Sequence, residues 1–128
     1  MKIILSISAL LICLSTFSCM SQTNNPAQEP KSFSEDLKKD NGLLLDVRSP
    51  EEYAEGHLKG ATLINYRDTS FATQVSKLDK NKPVYVYCHS GKRSGGAQDM
   101  MLKQGFKKVI NLKGGIVAWQ ESGMAVEK

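Results

Sequence analysis

The sequence predicts one α/β domain in three layers, a small and mainly parallel sheet flanked by helices. Three observations lead there. Short apolar, β-branched runs alternate along the chain with stretches that carry helix-start and helix-stop residues. The strand-like runs are apolar on both faces, as strands covered by helices on both sides must be. A chain of 128 residues with 41% hydrophobic side chains has room for one core and not for two.

Residues 1–18 stand apart from that domain. Met1-Lys2 is a short basic start, and Ile3–Phe17 is apolar around the whole helical circumference. A helix of that length rises only about 22 Å, short of the ~30 Å hydrocarbon core of a bilayer. A basic start, a short apolar stretch and a small residue at Ser18 are the parts of a secretory signal peptide. Thr16-Phe17-Ser18-Cys19 resembles a bacterial lipobox, with Thr16 where Leu is usual. Proteins with that box are cut before the cysteine and diacylated on its sulfur. The expectation is an exported envelope protein on the periplasmic side, its only membrane attachment a lipid at Cys19. Plain cleaved secretion is the alternative, and Cys13 is discarded in either case. Residues 19–31 follow as a polar linker; Met20–Lys31 reads MSQTNNPAQEPK, with two prolines and no hydrophobic period.

The domain is expected over residues 32–128. Ser32-Phe33-Ser34-Glu35 has capping-box spacing and predicts a short helix to about Lys39, stopped by Asp40-Asn41-Gly42. Leu43–Val47 is a doubly buried strand. Ser49-Pro50-Glu51-Glu52 starts a second helix, with Ser49 as N-cap, Pro50 in the first turn and Glu52 closing the box; Gly56 ends it. Ala61–Asn65 is a short strand, and a helix is predicted over about Ser70–Lys77. Val84–Tyr87, entered by Pro83, is the clearest strand in the chain. A helix from about Ser94 to Gln104, a strand at Val109–Leu112 and a last helix over Ile116–Glu121 complete the alternation.

Open parallel sheets place function where a strand hands over to a helix. Here that loop is Cys88-His89-Ser90-Gly91-Lys92-Arg93. Gly91 permits a tight backbone. A loop curled round the sulfur aims successive N–H groups at it, and the following helix start adds partial positive charge. With Lys92 and Arg93 as nearby cations, the thiolate is favoured and Cys88 is the candidate nucleophile. The bland alternative, a small buried cysteine ending a strand, is weakened by the glycine and two cations that follow it at once. One cysteine and two histidines without ligand spacing make no zinc set. His89 is carried away round the loop, so no Cys–His dyad is expected.

Four segments resemble the single-domain rhodanese family in order and spacing. They are Leu45–Tyr53 (LDVRSPEEY), Gly56–Ala61 (GHLKGA), Cys88–Ser94 (C-x-x-G-x-R-S) and Gly114–Trp119 (GGIVAW). The resemblance covers about Ser32 to Val126. It implies a rhodanese-like fold and a sulfurtransferase working through a Cys88 persulfide. The donor would be a sulfane such as thiosulfate, and the acceptor a thiol or cyanide. The loop from His89 to Arg93 would stabilise the persulfide, Lys92 and Arg93 would hold an anionic donor, and no metal or organic cofactor would be needed. Family relatives with a loop one residue longer are phosphatases or arsenate reductases; the six residues from Cys88 to Arg93 match the sulfur-transferring length. A non-catalytic rhodanese-like binding module is the other alternative, and the presence of Cys88 argues against it. Asp46 and Arg48 read as a structural ion pair, His57 as a hydrogen-bonded turn residue, Trp119 as core, and Glu51 and Glu52 as cap residues.

The remaining readings concern partners. A net charge of +4, with basic residues no denser than pairs and no aromatic interleaving, argues against nucleic acid. A monomer is expected. With Cys13 removed and Cys19 acylated, Cys88 is left without an internal disulfide partner, so a thiol-reducing partner protein is expected outside the cytoplasm.

Overall fold

The computed structural model describes residues 25–128. The expected signal at 1–18, Cys13, Cys19 and the linker up to residue 24 lie outside the described residues. The elements are β1 (Ala27–Gln28), α1 (Pro30–Asp40), β2 (Leu43–Asp46), α2 (Pro50–Glu55), β3 (Thr62–Leu63), α3 (Phe71–Ser76), β4 (Val84–Tyr87), α4 (Lys92–Lys103), β5 (Val109–Leu112) and α5 (Gly115–Glu121). The strands form one five-stranded sheet in the order β1-β5-β4-β2-β3, and every pair is parallel. This is the expected three-layer α/β arrangement, with helices on both faces of the sheet.

The start of the domain differs from the sequence reading. Ala27 and Gln28, expected in the linker, pair with Asn111 and Leu112 as an edge strand. Nothing in their composition signals a strand. Backbone bonds hold them: Asn111 N–H donates to Pro26 O (3.1 Å) and Lys113 N–H to Gln28 O (2.8 Å). The buried amide of Gln98 adds two more, to Pro26 O (2.8 Å) and Val109 O (2.7 Å). The first helix likewise begins at Pro30 and not at Ser32, and the capping box expected at Ser32–Glu35 does not form. Pro30 needs no N–H partner and has its φ preset for a first turn. The folded unit therefore starts inside the expected linker.

The box at Ser49 forms as the sequence predicts. Glu52 N–H donates to Ser49 Oγ (3.2 Å), and Ser49 N–H donates to Glu52 Oε2 (3.0 Å). The strand at Ala61–Asn65 shortens to Thr62–Leu63, and the long helix starts at Lys92, earlier than its expected start at Ser94.

Strand periodicity divides the core. Val84 and Val86 pack with Leu45, Val75, Ala97 and Met101 beneath α3 and α4. Tyr85 and Tyr87 face the other way, with Phe33, Ile110, Ile116 and Trp119 beneath α1 and α5. Both tyrosines are fully buried, so each hydroxyl needs a partner. Tyr85 donates to Asp40 (2.5 Å), and Tyr87 donates to Asp46 Oδ2 (2.6 Å).

Asp46 is the centre of a buried network at the C-terminal ends of β2 and β4. Arg48 donates to it from its backbone N–H (2.9 Å), Nε (3.0 Å) and Nη2 (2.8 Å). Arg48 Nη2 also donates to Gly56 O (2.7 Å), and Leu58 N–H donates to Tyr87 Oη (3.0 Å). These bonds tie the β2 end to the β4 end and fix the segment leading from α2 to β3. Burial and the Asp46 carboxylate both push the Tyr87 phenol well above its ordinary range.

Removing Asp46 would strand a guanidinium that is 4% exposed. Asp46→Ala is expected to lower the unfolding free energy by about 3–5 kcal/mol, measured by urea denaturation against the wild-type protein.

Candidate active site

Cys88 follows directly on β4, at the C-terminal edge of the sheet, and α4 begins at Lys92. The residue is 1% exposed and its thiol is free. Gly91 turns the chain between them with φ 104°, a left-handed conformation that a residue with Cβ resists.

Two bonds reach the sulfur directly. Gly91 N–H donates to Sγ (3.1 Å), and the buried Ser94 hydroxyl donates to it (3.2 Å). Burial alone pushes the thiol pKa up, the largest single effect on it. The Ser94 hydroxyl and the N–H groups of Ser94, Gly91 and Ser90 push it down, and together they prevail. The thiol thus ionises below its ordinary value, the condition for a nucleophile at neutral pH.

The N–H groups face inward because the carbonyls are engaged on the outside. Ile116 N–H donates to Cys88 O (2.9 Å), and Val117 N–H donates to His89 O (3.3 Å). Asn111 Nδ2 donates to Gly91 O (3.1 Å), which also takes Gly95 N–H (3.0 Å). The first two donors belong to the start of α5, whose early N–H groups have no partners inside their own helix. Gly115 makes that approach possible. A Cβ there would sit 2.3 Å from His89 O and 2.6 Å from Cys88 O. This gives the GG-x-x-AW segment a physical role.

The two cations of the loop part company. Arg93 makes a bidentate pair with Glu52, Nη1 to Oε2 and Nη2 to Oε1, both 2.8 Å. The sequence reading set both Lys92 and Arg93 to hold an anionic donor; Arg93 instead spends its fork on Glu52, and its charge is already matched. The Arg93 bonds hold the Glu52 carboxyl far below the usual range, against the pull of burial. A depressed carboxyl of this kind contributes stability above the unfolded-state pKa and loses it only as pH falls through the depressed value. Lys92 is exposed and pairs with no carboxylate among the described residues. His89 and Ser90 are exposed as well, and His89 makes no hydrogen bond to Sγ. His89 lines a small cleft with Arg48, Glu52, Gly56 and Ile116.

The structure thus gathers Cys88, Ser90, Gly91 and Lys92 in one loop, with Arg93 beside them and paired to Glu52. It adds three residues that sequence reasoning did not assign to the site. Ser94 was legible as the closing serine of C-x-x-G-x-R-S. Glu52 was read only as a cap, and its second role depends on a partner distant in the chain. Asn111 carried no signal: it reads as one polar residue in an apolar strand. His57, expected as a turn residue, does bond Tyr53 O through Nδ1 (3.1 Å) and stacks on the Tyr53 ring. Trp119 lies in the core, as expected.

Comparison with known proteins agrees with this geometry. The family model described as "Rhodanese-like domain" matches residues 29–122. A protein of Allochromatium vinosum named "Sulfurtransferase" is 36% identical over 84 residues, covering 66% of this chain and 77% of its own length. A Bacillus subtilis protein named as a candidate sulfur carrier is 39% identical over 90 residues; the match takes in 70% of this chain and 48% of that protein, so the chain spans about half its length. Among solved structures, a rhodanese-related protein of Thermoplasma volcanium superposes with a TM-score of 0.71 at 26% identity, covering 80% of this chain and 97% of the other. The rhodanese-like domain of an Anabaena protein gives 0.70 at 28% identity, covering 80% and 78%.

Ser94 supplies the leading bond that favours the thiolate. In Ser94→Ala the pH profile of Cys88 alkylation is expected to move to higher pH, because the charged form loses a donor and the neutral form loses little. Alkylation by iodoacetamide, followed at the Cys88 peptide by mass spectrometry, reads that shift.

Proposed function

This chain belongs to the rhodanese-like domain family, and from that membership we propose that it is a sulfurtransferase carrying sulfane sulfur as a persulfide on Cys88. The observation that carries the reading is the convergence of the Gly91 N–H and the Ser94 hydroxyl on one buried sulfur.

The Cys88 thiolate attacks the outer sulfur of a donor such as thiosulfate. A new S–S bond forms to Sγ while the donor's own S–S bond breaks, and sulfite leaves with the electron pair. The outer persulfide sulfur then carries the negative charge. The N–H groups lining the loop face that charge as they faced the thiolate, and preorganised donors of this kind cost no reorganisation during reaction. An acceptor thiolate or cyanide attacks the outer sulfur, and the Cys88 thiolate departs, ready for a second cycle. Lys92, the unpaired cation at the loop, draws the anionic donor and offsets charge on the departing sulfite. Phosphatase or arsenate chemistry in the same loop is disfavoured, since Arg93, the natural oxyanion fork, is committed to Glu52.

The same reading extends to placement. We propose that residues 1–18 direct export and that Cys19 takes the lipid, leaving Cys88 as the free thiol on the periplasmic side of the envelope. Such a thiol is open to mixed disulfides, and a thiol-reducing partner protein would keep it in service.

Three measurements test these proposals. Cys88→Ser is expected to abolish thiosulfate:cyanide sulfur transfer and to gain no sulfur-atom mass on exposure to thiosulfate; turnover in the folded variant would refute the mechanism. Lys92→Ala is expected to raise KM for thiosulfate severalfold more than KM for a neutral persulfide donor. Equal effects would make Lys92 a support of the loop alone. A fatty-acid probe is expected to label the wild-type protein in cells and to leave Cys19→Ala unlabelled.

A further inference from the structure

A parallel sheet puts all strand C-termini at one end and all strand starts at the other. Cys88 occupies the first end. Lysines collect at the second. α1 closes on Lys39, α3 on Lys77 and α4 on Lys103, while the turn into β4 carries Lys82 and the turn into β5 carries Lys107 and Lys108. All six are exposed. Backbone bonds hold these turns side by side: Lys107 N–H donates to Lys80 O (3.1 Å), and Val84 N–H donates to Lys108 O (3.0 Å). Gln104 Nε2 donates to Ala72 O (3.1 Å) and draws the end of α4 against α3.

The acids among these turns and helix ends are Asp40, Asp79 and Asp99, the last bonded to Asn25 one turn before Lys103. Asp40 is engaged by Lys108 Nζ (2.7 Å) and Tyr85, and Asp79 accepts Asn81 N–H (2.9 Å) within its own turn. Glu51, Glu52 and Glu55 lie on α2, and Glu127 sits in the tail against His57, away from this end. A lysine in the last turn of a helix offsets the helix dipole. That account covers Lys39 and Lys103 but not Lys82, Lys107 and Lys108, which sit in turns outside the helices.

The entry of the chain marks the same end. β1 runs parallel to β5, with Ala27 opposite Asn111, so Asn25 and Pro26 approach from the side where the strands start. Asn25 already lies there, bonded to Asp99 and beside Leu102 and Lys103.

We propose that this basic end docks on the anionic headgroups of a phospholipid bilayer and holds the Cys88 loop toward the aqueous side. The inference rests on the reading of the N-terminus as an export and lipid-anchoring segment. An anchor that enters at the lysine-bearing end brings those lysines within a Debye length of the headgroups, where their attraction is largest. An anchor entering at the opposite end would have pressed the active loop against the membrane.

The test uses the full chain added to vesicles of phosphatidylcholine alone or of an equimolar mixture with phosphatidylglycerol. A water-soluble amine reagent then labels exposed lysines, read residue by residue by mass spectrometry. On the anionic vesicles Lys82, Lys103 and Lys107 are expected to be protected roughly threefold relative to the neutral ones, with Lys92 labelled equally on both. Protection should vanish in ~1 M salt, where the Debye length is about 3 Å. In a variant carrying Lys77→Glu, Lys82→Glu and Lys107→Glu, the protection of Lys39 and Lys103 should be lost while sulfur transfer in solution persists.

Equal labelling of the basic end on both vesicles, protection of Lys92 to the same degree, or no binding to either vesicle overturns the proposal. Protection by a short RNA or polyglutamate but not by vesicles also overturns it and points to an acidic polymer. None of these outcomes depends on Cys88 turnover, so the docking surface and the sulfur chemistry stand or fall separately.

Discussion

A buried thiolate is tolerable only if N–H and O–H groups point at it, and a loop can turn its N–H groups inward only if its carbonyls have partners elsewhere. The organisation of this end of the molecule follows from that requirement. Cys88 O and His89 O are taken by the start of α5, and Gly91 O is taken by Asn111 and by the first turn of α4. The loop is therefore shaped by a helix from the far end of the chain and by a side chain from the neighbouring strand, as much as by its own residues. Gly115 is the narrowest point: its missing side chain lets α5 come close enough to accept the geometry.

Two further ties carry the constraint outward. Arg93 grips Glu52, and Glu52 also closes the cap of α2 through Ser49. A single carboxylate thereby couples the active loop to the helix on the adjacent crossover. Beneath it, Asp46 joins Arg48 to Tyr87, the residue just before Cys88. The loop sits on a strand end that is held by a buried, fully engaged network, and such networks favour one arrangement strongly over its neighbours. Activation of the sulfur thus draws on hydrogen bonds and dipoles more than on free cations.

Parallel strand order also gives the domain two chemically different ends. One holds the loop, with the acids of α2 close by. The other collects the helix C-termini and the turns that lead into the strands, and there the lysines lie. A sheet with antiparallel strands would have mixed the two sets.

The sequence by itself determined the α/β class, the Cys88 loop, the cap at Ser49 and the pairing of Asp46 with Arg48. Each of these is a local pattern: a hydrophobic period, a turn glycine, a box closed within three residues, or a pair two residues apart. Tertiary structure decided the rest. Ala27-Gln28 is a strand only because β5 offers an open edge, and α1 starts at Pro30 because that strand has already delivered the chain to the sheet. Arg93 took Glu52 as its partner, and Asn111 became a support of the loop, through contacts between residues far apart in the chain. Partners of that kind depend on which strands lie side by side, and local periodicity carries no record of strand order.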